Sequence, residues 1–105
     1  MNYFVLMFAV EEAYRFKQVA DICDLVTKDF GGYSLIQMDG GWVNKEGEIV
    51  QEPSLKLELV TELGEKSIIE LCEYIATNYK QDEVYYYQLN VEPKMYENPN
   101  KKKEK

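Results

Sequence analysis

Histidine is absent from this chain of 105 residues, and arginine occurs once, as Arg15. Without an imidazole there is no Ser-His or Cys-His nucleophile pair, no His-containing zinc site, and no side chain whose unperturbed pKa lies near neutrality. Most familiar hydrolase mechanisms are excluded with it. A single guanidinium argues against bidentate phosphate recognition, the task to which arginine is best suited. Only two cysteines are present, Cys23 and Cys72, spaced as neither a C-x-x-C redox motif nor half of a zinc ribbon. Each falls on an apolar helical stripe, so both read as reduced thiols used as small hydrophobes, with a disulfide between the two helices as the alternative. Long hydrophobic runs are missing too. The longest, Tyr3 to Val10, is far shorter than the ~20 residues of a membrane helix, so no membrane association is expected. The start Met-Asn-Tyr-Phe lacks the basic n-region of a signal peptide, which gives an expected location in the cytoplasm.

Acid is in surplus. The chain has twelve basic and nineteen acidic residues, but four of the lysines and one glutamate crowd into Lys101 to Lys105. The remainder holds eight basic against eighteen acidic residues, a net of −10. Nucleic-acid affinity comes mainly from Lys and Arg displacing condensed counterions, so direct DNA or RNA binding is not expected. A hydrophobic fraction of 46% supplies a core for one domain of this length. That domain is expected over residues 1–93, followed by a frayed, lysine-rich tail over 94–105.

Periodicity divides the chain into six elements. Tyr3 to Val10 is apolar on both parities, the pattern of a central strand covered on both faces. From Glu11 to Asp29 the period changes: Phe16, Val19, Cys23, Val26 and Phe30 follow a 3, 4, 3, 4 spacing that predicts an amphipathic helix. Glu11 and Glu12 suit its positive N-terminal end, and Gly31-Gly32 ends it. Tyr33 to Met38 reads as a strand that continues to Trp42-Val43-Asn44 through Gly40-Gly41, where a bulge or sharp bend is expected. Lys45-Glu46-Gly47 is the turn of a hairpin returning over Glu48 to Gln51. Pro53 should mark an edge or a break before Leu55, Leu57 and Leu59 alternate with Lys56 and Glu58. A second helix follows Leu63-Gly64-Glu65. Ser67 and Glu70 are spaced for a capping box, and Ile68, Cys72, Ile75 and Tyr79 form the inner row. Val84 to Val91 is the last strand.

The order βαββαβ predicts a ferredoxin-like α+β fold: a four-stranded antiparallel sheet, first and third strands central, with two helices on one face. Two helices cannot cover both faces. The outer set of the first strand, either Tyr3, Val5 and Met7 or Phe4, Leu6 and Phe8, with one set from the tyrosine-rich last strand, would then form an exposed apolar patch of the kind that marks an interface. A homodimer or higher symmetric oligomer is therefore expected, built on the open face or on an edge strand.

Gly32-Tyr33-Ser34, Gly40-Gly41-Trp42, Gly47-Glu48-Ile49-Val50 and Glu52-Pro53-Ser54 together resemble a pattern found in an uncharacterised family of small bacterial α+β proteins. There a G-x-W strand and an E-P-S strand flank a glycine turn. The resemblance covers about thirty residues. It implies the α+β fold and no reaction.

Six residues stand out as candidates for ligand or partner binding: Asp39, Trp42, Asn44, Glu52, Tyr85 and Tyr87. Trp42 and Asn44 share strand parity beside a glycine pair, where a backbone can approach a ligand closely, and the indole offers apolar area with one donor. Tyr85 and Tyr87 fall on one face and Tyr86 on the other; tyrosine brings large contact area with little rotamer entropy. Their alternative role is cross-strand aromatic pairing. Asp39 and Glu52, with Glu48, could converge as hard oxygen ligands for Mg²⁺ or Ca²⁺, but nothing resembles an EF-hand spacing and no metal or cofactor is expected. Neither glycine pair fits a phosphate-binding loop.

The expected function is that of a non-enzymatic acidic binding or regulatory module, acting as an oligomer on a protein with a basic surface or on a small ligand. One alternative is a phage or mobile-element inhibitor whose carboxylates imitate DNA phosphates on a host defence nuclease. Another is a small dimeric enzyme with a carboxylate base, for which Asp39 is the first choice.

Overall fold

The structure is a computed structural model, and it describes residues 1–10 and 15–100. Glu11 and Glu12, expected at a helix end, and the lysines of 101–105, expected in a tail, lie outside the described residues. Six elements follow one another: β1 (Asn2–Ala9), α1 (Arg15–Phe30), β2 (Ser34–Val43), β3 (Ile49–Thr61), α2 (Glu65–Asn78) and β4 (Tyr85–Leu89). The strands form one antiparallel sheet in the order β2-β3-β1-β4, with both helices against one face: the ferredoxin-like α+β architecture.

Alternation along the strands sorts the side chains. Phe4, Leu6 and Phe8 of β1 stand opposite Leu59, Leu57 and Leu55 of β3, and all six point to the helices. They close the core with Ile22 and Val26 of α1 and Ile68, Leu71 and Ile75 of α2; none of the eleven is more than 4% exposed. Burying side chains of this size stabilises the fold by roughly 1.5–3 kcal/mol each, before chain entropy is set against it.

Three sequence expectations are corrected and a fourth is narrowed. Phe16 is 82% exposed, and the inner row of α1 runs Gln18, Ile22, Val26, one position round from the expected stripe. The reason is that Leu25 and Ile22 extend the apolar arc beside Val19 and Cys23, and the sheet is met best by the middle of that arc. Second, Ser67 does not cap α2. The cap is Gly64, without a side-chain hydrogen bond, and Ser67 lies inside the first turn, its N–H donating to the Gly64 carbonyl at 3.1 Å. Third, Gly40-Gly41 makes no bulge. The β2–β3 register is constant from Ser34↔Glu58 to Val43↔Ile49, and the glycine serves close packing, since a Cβ at Gly40 would collide with Ser54 Oγ. Fourth, of the edge or break expected at Pro53 the edge is what forms: β3 is continuous from Ile49 to Thr61, and β1 ends at its level. The Pro53 carbonyl accepts from Val10 N–H at 3.0 Å, so its nitrogen also faces the β1 side, where β1 has just ended; no bond to β2 is lost.

Beyond Ser54, the last residue of β3 paired with β1, β2 and β3 run on together as a two-stranded arm. Its turn is a three-residue loop: Asn44 N–H donates to the Glu48 carbonyl at 2.9 Å, Gly47 N–H to the Asn44 carbonyl at 3.0 Å, and Gly47 takes a φ of 80°. That is the type I turn followed by a left-handed residue that closes many hairpins. Residues 90–100 contain no helix or strand.

Candidate functional site

The sheet face away from the helices carries the alternate residues of the same strands. Constant register places Tyr3, Val5 and Met7 of β1 beside Leu89, Tyr87 and Tyr85 of β4 on one side. On the other side stand Val60, Glu58 and Lys56 of β3, and beyond them Ile36 and Met38 of β2. Trp42 and Val50 continue this face along the arm.

Exposure on this face is uneven. Val5, expected to be open to solvent, is 1% exposed between its cross-strand partners Tyr87 and Glu58, and Tyr3 and Met7 are half-buried. The exposed apolar surface lies instead toward the two edges: Tyr85 at 62%, Trp42 at 51% and Ile36 at 44%. Large neighbours lean over a small central valine, so the outer residues carry the exposure. Tyr3 donates its hydroxyl to Glu58 Oε2 at 2.8 Å and Tyr85 donates to Glu83 Oε2 at 2.8 Å, and each carboxylate holds its phenol above the usual tyrosine range.

The candidate residues do not form one cluster. Tyr85, Tyr87 and Trp42 share the open face. Glu52 is paired with Gly40 on the same parity, whereas Asp39, paired with Pro53, points to the opposite side of the arm. Asp39 there borders an open depression of about 500 Å³ with Gly41, Ile49, Gln51 and Pro53, and Gly40 and Glu52 also contribute to its lining. Asn44 belongs to the turn: its Oδ1 accepts from the N–H groups of Glu46 at 3.0 Å and Glu48 at 2.9 Å. Among the described residues no group of three or more His, Cys, Asp or Glu is placed to hold a metal ion.

Two ties escape sequence reasoning. Tyr86, on the helix side of β4, donates to Glu65 Oε1 at 2.8 Å at the start of α2. Asp21 of α1 accepts from the hydroxyls of both Tyr74, at 2.8 Å, and Tyr79, joining the two helices. These bonds, from Tyr79 first, hold the Asp21 carboxyl below its usual range, while burial and the same contact push the Tyr79 phenol well up. Only the unusual number of tyrosines beside an acidic helix face hinted at such pairs. Both cysteines are free thiols, and burial pushes Cys72 up to about 11.

No family model matches this chain, and no curated protein does. Solved structures resemble it in shape. The divalent cation tolerance protein CutA1 from Thermus thermophilus superposes with a TM-score of 0.65 at 14% identity, over 90% of this chain and 88% of that one. A phage SAM lyase bound to S-methyl-5′-thioadenosine gives 0.60 at 12%, over 86% and 90%. GlnK from Bacillus subtilis in its ATP complex gives 0.54 at 14%, over 84% and 82%. At these identities the likeness is one of fold, and it agrees with the ferredoxin-like arrangement of helices and strands. Among the described residues no helix is long and apolar enough to cross a membrane.

Proposed function

We propose that this chain is a non-catalytic binding module that works as a homo-oligomer in the cytoplasm, joined through the open half of its sheet and presenting an acidic exterior to a basic protein surface. The observation that carries the reading is a separation of surface chemistry. The open face holds Ile36, Val60, Tyr85, Tyr87 and Trp42 with only Lys56, Glu58 and Glu52 as charges, close to neutral. The surplus acid lies elsewhere, on α2, where Glu65, Glu70 and Glu73 outnumber Lys66, and on the connections at Glu46, Glu48, Glu62, Asp82 and Glu83, while α1 balances Asp21, Asp24 and Asp29 against Arg15, Lys17 and Lys28. A face that is apolar and nearly uncharged on an acidic chain can meet its own copy without repulsion. Size-exclusion chromatography with light scattering tests the association: a multiple of 12.3 kDa at micromolar concentration supports it, and a monomer overturns it. Binding to a basic partner should weaken steeply with salt.

A second reading is favoured by two of the fold's solved structures, which hold adenosine compounds. The depression beside Asp39 has no Lys or Arg on its lining, which disfavours a triphosphate and leaves an uncharged or cationic adenosine compound as the better fit. Calorimetry with S-methyl-5′-thioadenosine and with ATP decides it; no heat from the first removes the reading.

A further inference from the structure

Hydrogen-bond parity identifies which backbone groups of the sheet are left without a partner strand. Because the Pro53 carbonyl bonds Val10 N–H, the odd residues of β3 face β1 and the even residues of β1 face β3. The odd residues of β1 then face β4, pairing with Tyr85, Tyr87 and Leu89, so the N–H and C=O groups of Tyr86 and Gln88 point outward. On the other side the even residues of β3 face β2, as the Asn44–Glu48 bond confirms, and Leu35, Gln37, Asp39, Gly41 and Val43 present the outer edge of β2. Among the described residues no strand lies against either edge.

Edge strands are normally blunted by lysine, proline, inward charges or a bulge. The arm segment of β3 has that protection in Pro53. β4 and β2 do not: Val84 to Val91 contains no charged residue in a chain that is 30% charged, and β2 has Asp39 alone and no proline. Both edges are also alike in facing. Tyr86 and Gln88 carry their side chains on the helix side, as do Gln37, Asp39 and Gly41, so joining the edges keeps the open faces of successive copies on one side. β4 runs opposite to β1 and β1 opposite to β3, as β3 does to β2, so β4 meets the β2 of a copy related by rotation about the strand direction in antiparallel sense.

We propose that the partner of the β4 edge is the β2 edge of a second copy of this chain, a head-to-tail pairing that closes into a ring with the open faces turned inward. The proposal rests on the oligomeric reading above and specifies its contact. A two-fold β4–β4 pairing would use one edge, leave β2 bare and leave the open faces uncovered; the head-to-tail contact satisfies both edges and covers Tyr85, Tyr87 and Ile36 together.

Proline tests the contact, because at Gln88 and at Gln37 it removes an outward N–H and leaves the ladder inside the chain whole. Each variant, Gln88→Pro and Gln37→Pro, should fall to 12.3 kDa in light scattering with its circular dichroism intact, and an equimolar mixture should give a one-to-one heterodimer through the two undamaged edges. A wild-type monomer overturns this proposal and the oligomeric reading together. Gln88→Pro remaining at the wild-type mass overturns the edge pairing and leaves the oligomeric reading standing. Gln37→Pro remaining associated while Gln88→Pro dissociates overturns the head-to-tail arrangement in favour of the two-fold one. If either proline variant unfolds, amide exchange of the wild-type protein decides: Tyr86 and Gln88 exchanging as slowly as Tyr87 supports the pairing, and fast exchange at those two overturns it.

Discussion

The two faces of this sheet are built from alternate residues of the same four strands, and they differ in kind as well as in burial. Toward the helices stand Phe4, Leu6, Phe8, Leu55, Leu57 and Leu59, all hydrocarbon and all 4% exposed or less. Away from them Tyr3, Tyr85, Tyr87 and Trp42, each with a polar atom at its end, stand among Val5, Ile36 and Val60 and beside Lys56 and Glu58. Groups that never meet water can dispense with polar atoms. A surface that is wet before it associates is better made of rings that are apolar in the body and polar at the tip. The difference predicts opposite responses to truncation. Leu57→Ala, at 0% exposure, should cost about 3 kcal/mol and move the urea midpoint without altering the mass of the folded species. Tyr85→Ser, at 62%, should change monomer stability by less than about 0.5 kcal/mol and shift the mass toward 12.3 kDa. If Tyr85→Ser instead unfolds the chain at unchanged mass, the open face is a second core and the distinction drawn between the faces is lost.

How far each face was legible follows from the same alternation. The inner face was readable because Leu55, Leu57 and Leu59 alternate strictly with Lys56 and Glu58, and because β1 is apolar on both parities; order and topology followed from these and the two helical stripes. The outer face was readable as a set of residues but not as a surface. Nothing in the pattern shows that Val5 sinks between Tyr87 and Glu58, because that depends on cross-strand partners distant in sequence. Local signals misled where a long-range fact outweighed them. Gly40-Gly41 resembles a bulge until Ser54 is placed beside it, and at Pro53 only the end of β1 at its level decides for an edge over a break. A hairpin bent at the glycines would bring the carboxylates of Asp39 and Glu52 together; the constant register turns their side chains to opposite sides of the arm.

The helical layer gives a smaller contrast, between contacts made of hydrocarbon and a contact made of hydrogen bonds. Ile22 and Val26 meet the sheet by packing alone, whereas the two helices are joined at their outer margin by Tyr74 and Tyr79 donating to Asp21. Tyr79→Phe keeps the ring and removes one donor, so it should cost about 1 kcal/mol, less than any truncation in the core. The cost should vary with pH in a way no packing contact can. Asp21 has its pKa lowered in the folded chain, so its stabilisation is complete above the ordinary carboxylate value near ~3.9 and is lost as pH falls through the lower folded value. The raised phenol of Tyr79 works at the other limit, its share being complete below the ordinary value near ~10. Urea midpoints of wild type and Tyr79→Phe should therefore differ by a constant amount between about pH 5 and pH 9 and converge below about pH 4. A difference that persists undiminished to the acid limit would mean that the Asp21 carboxylate is not the acceptor that matters, and that the helices are held by hydrocarbon here as they are everywhere else.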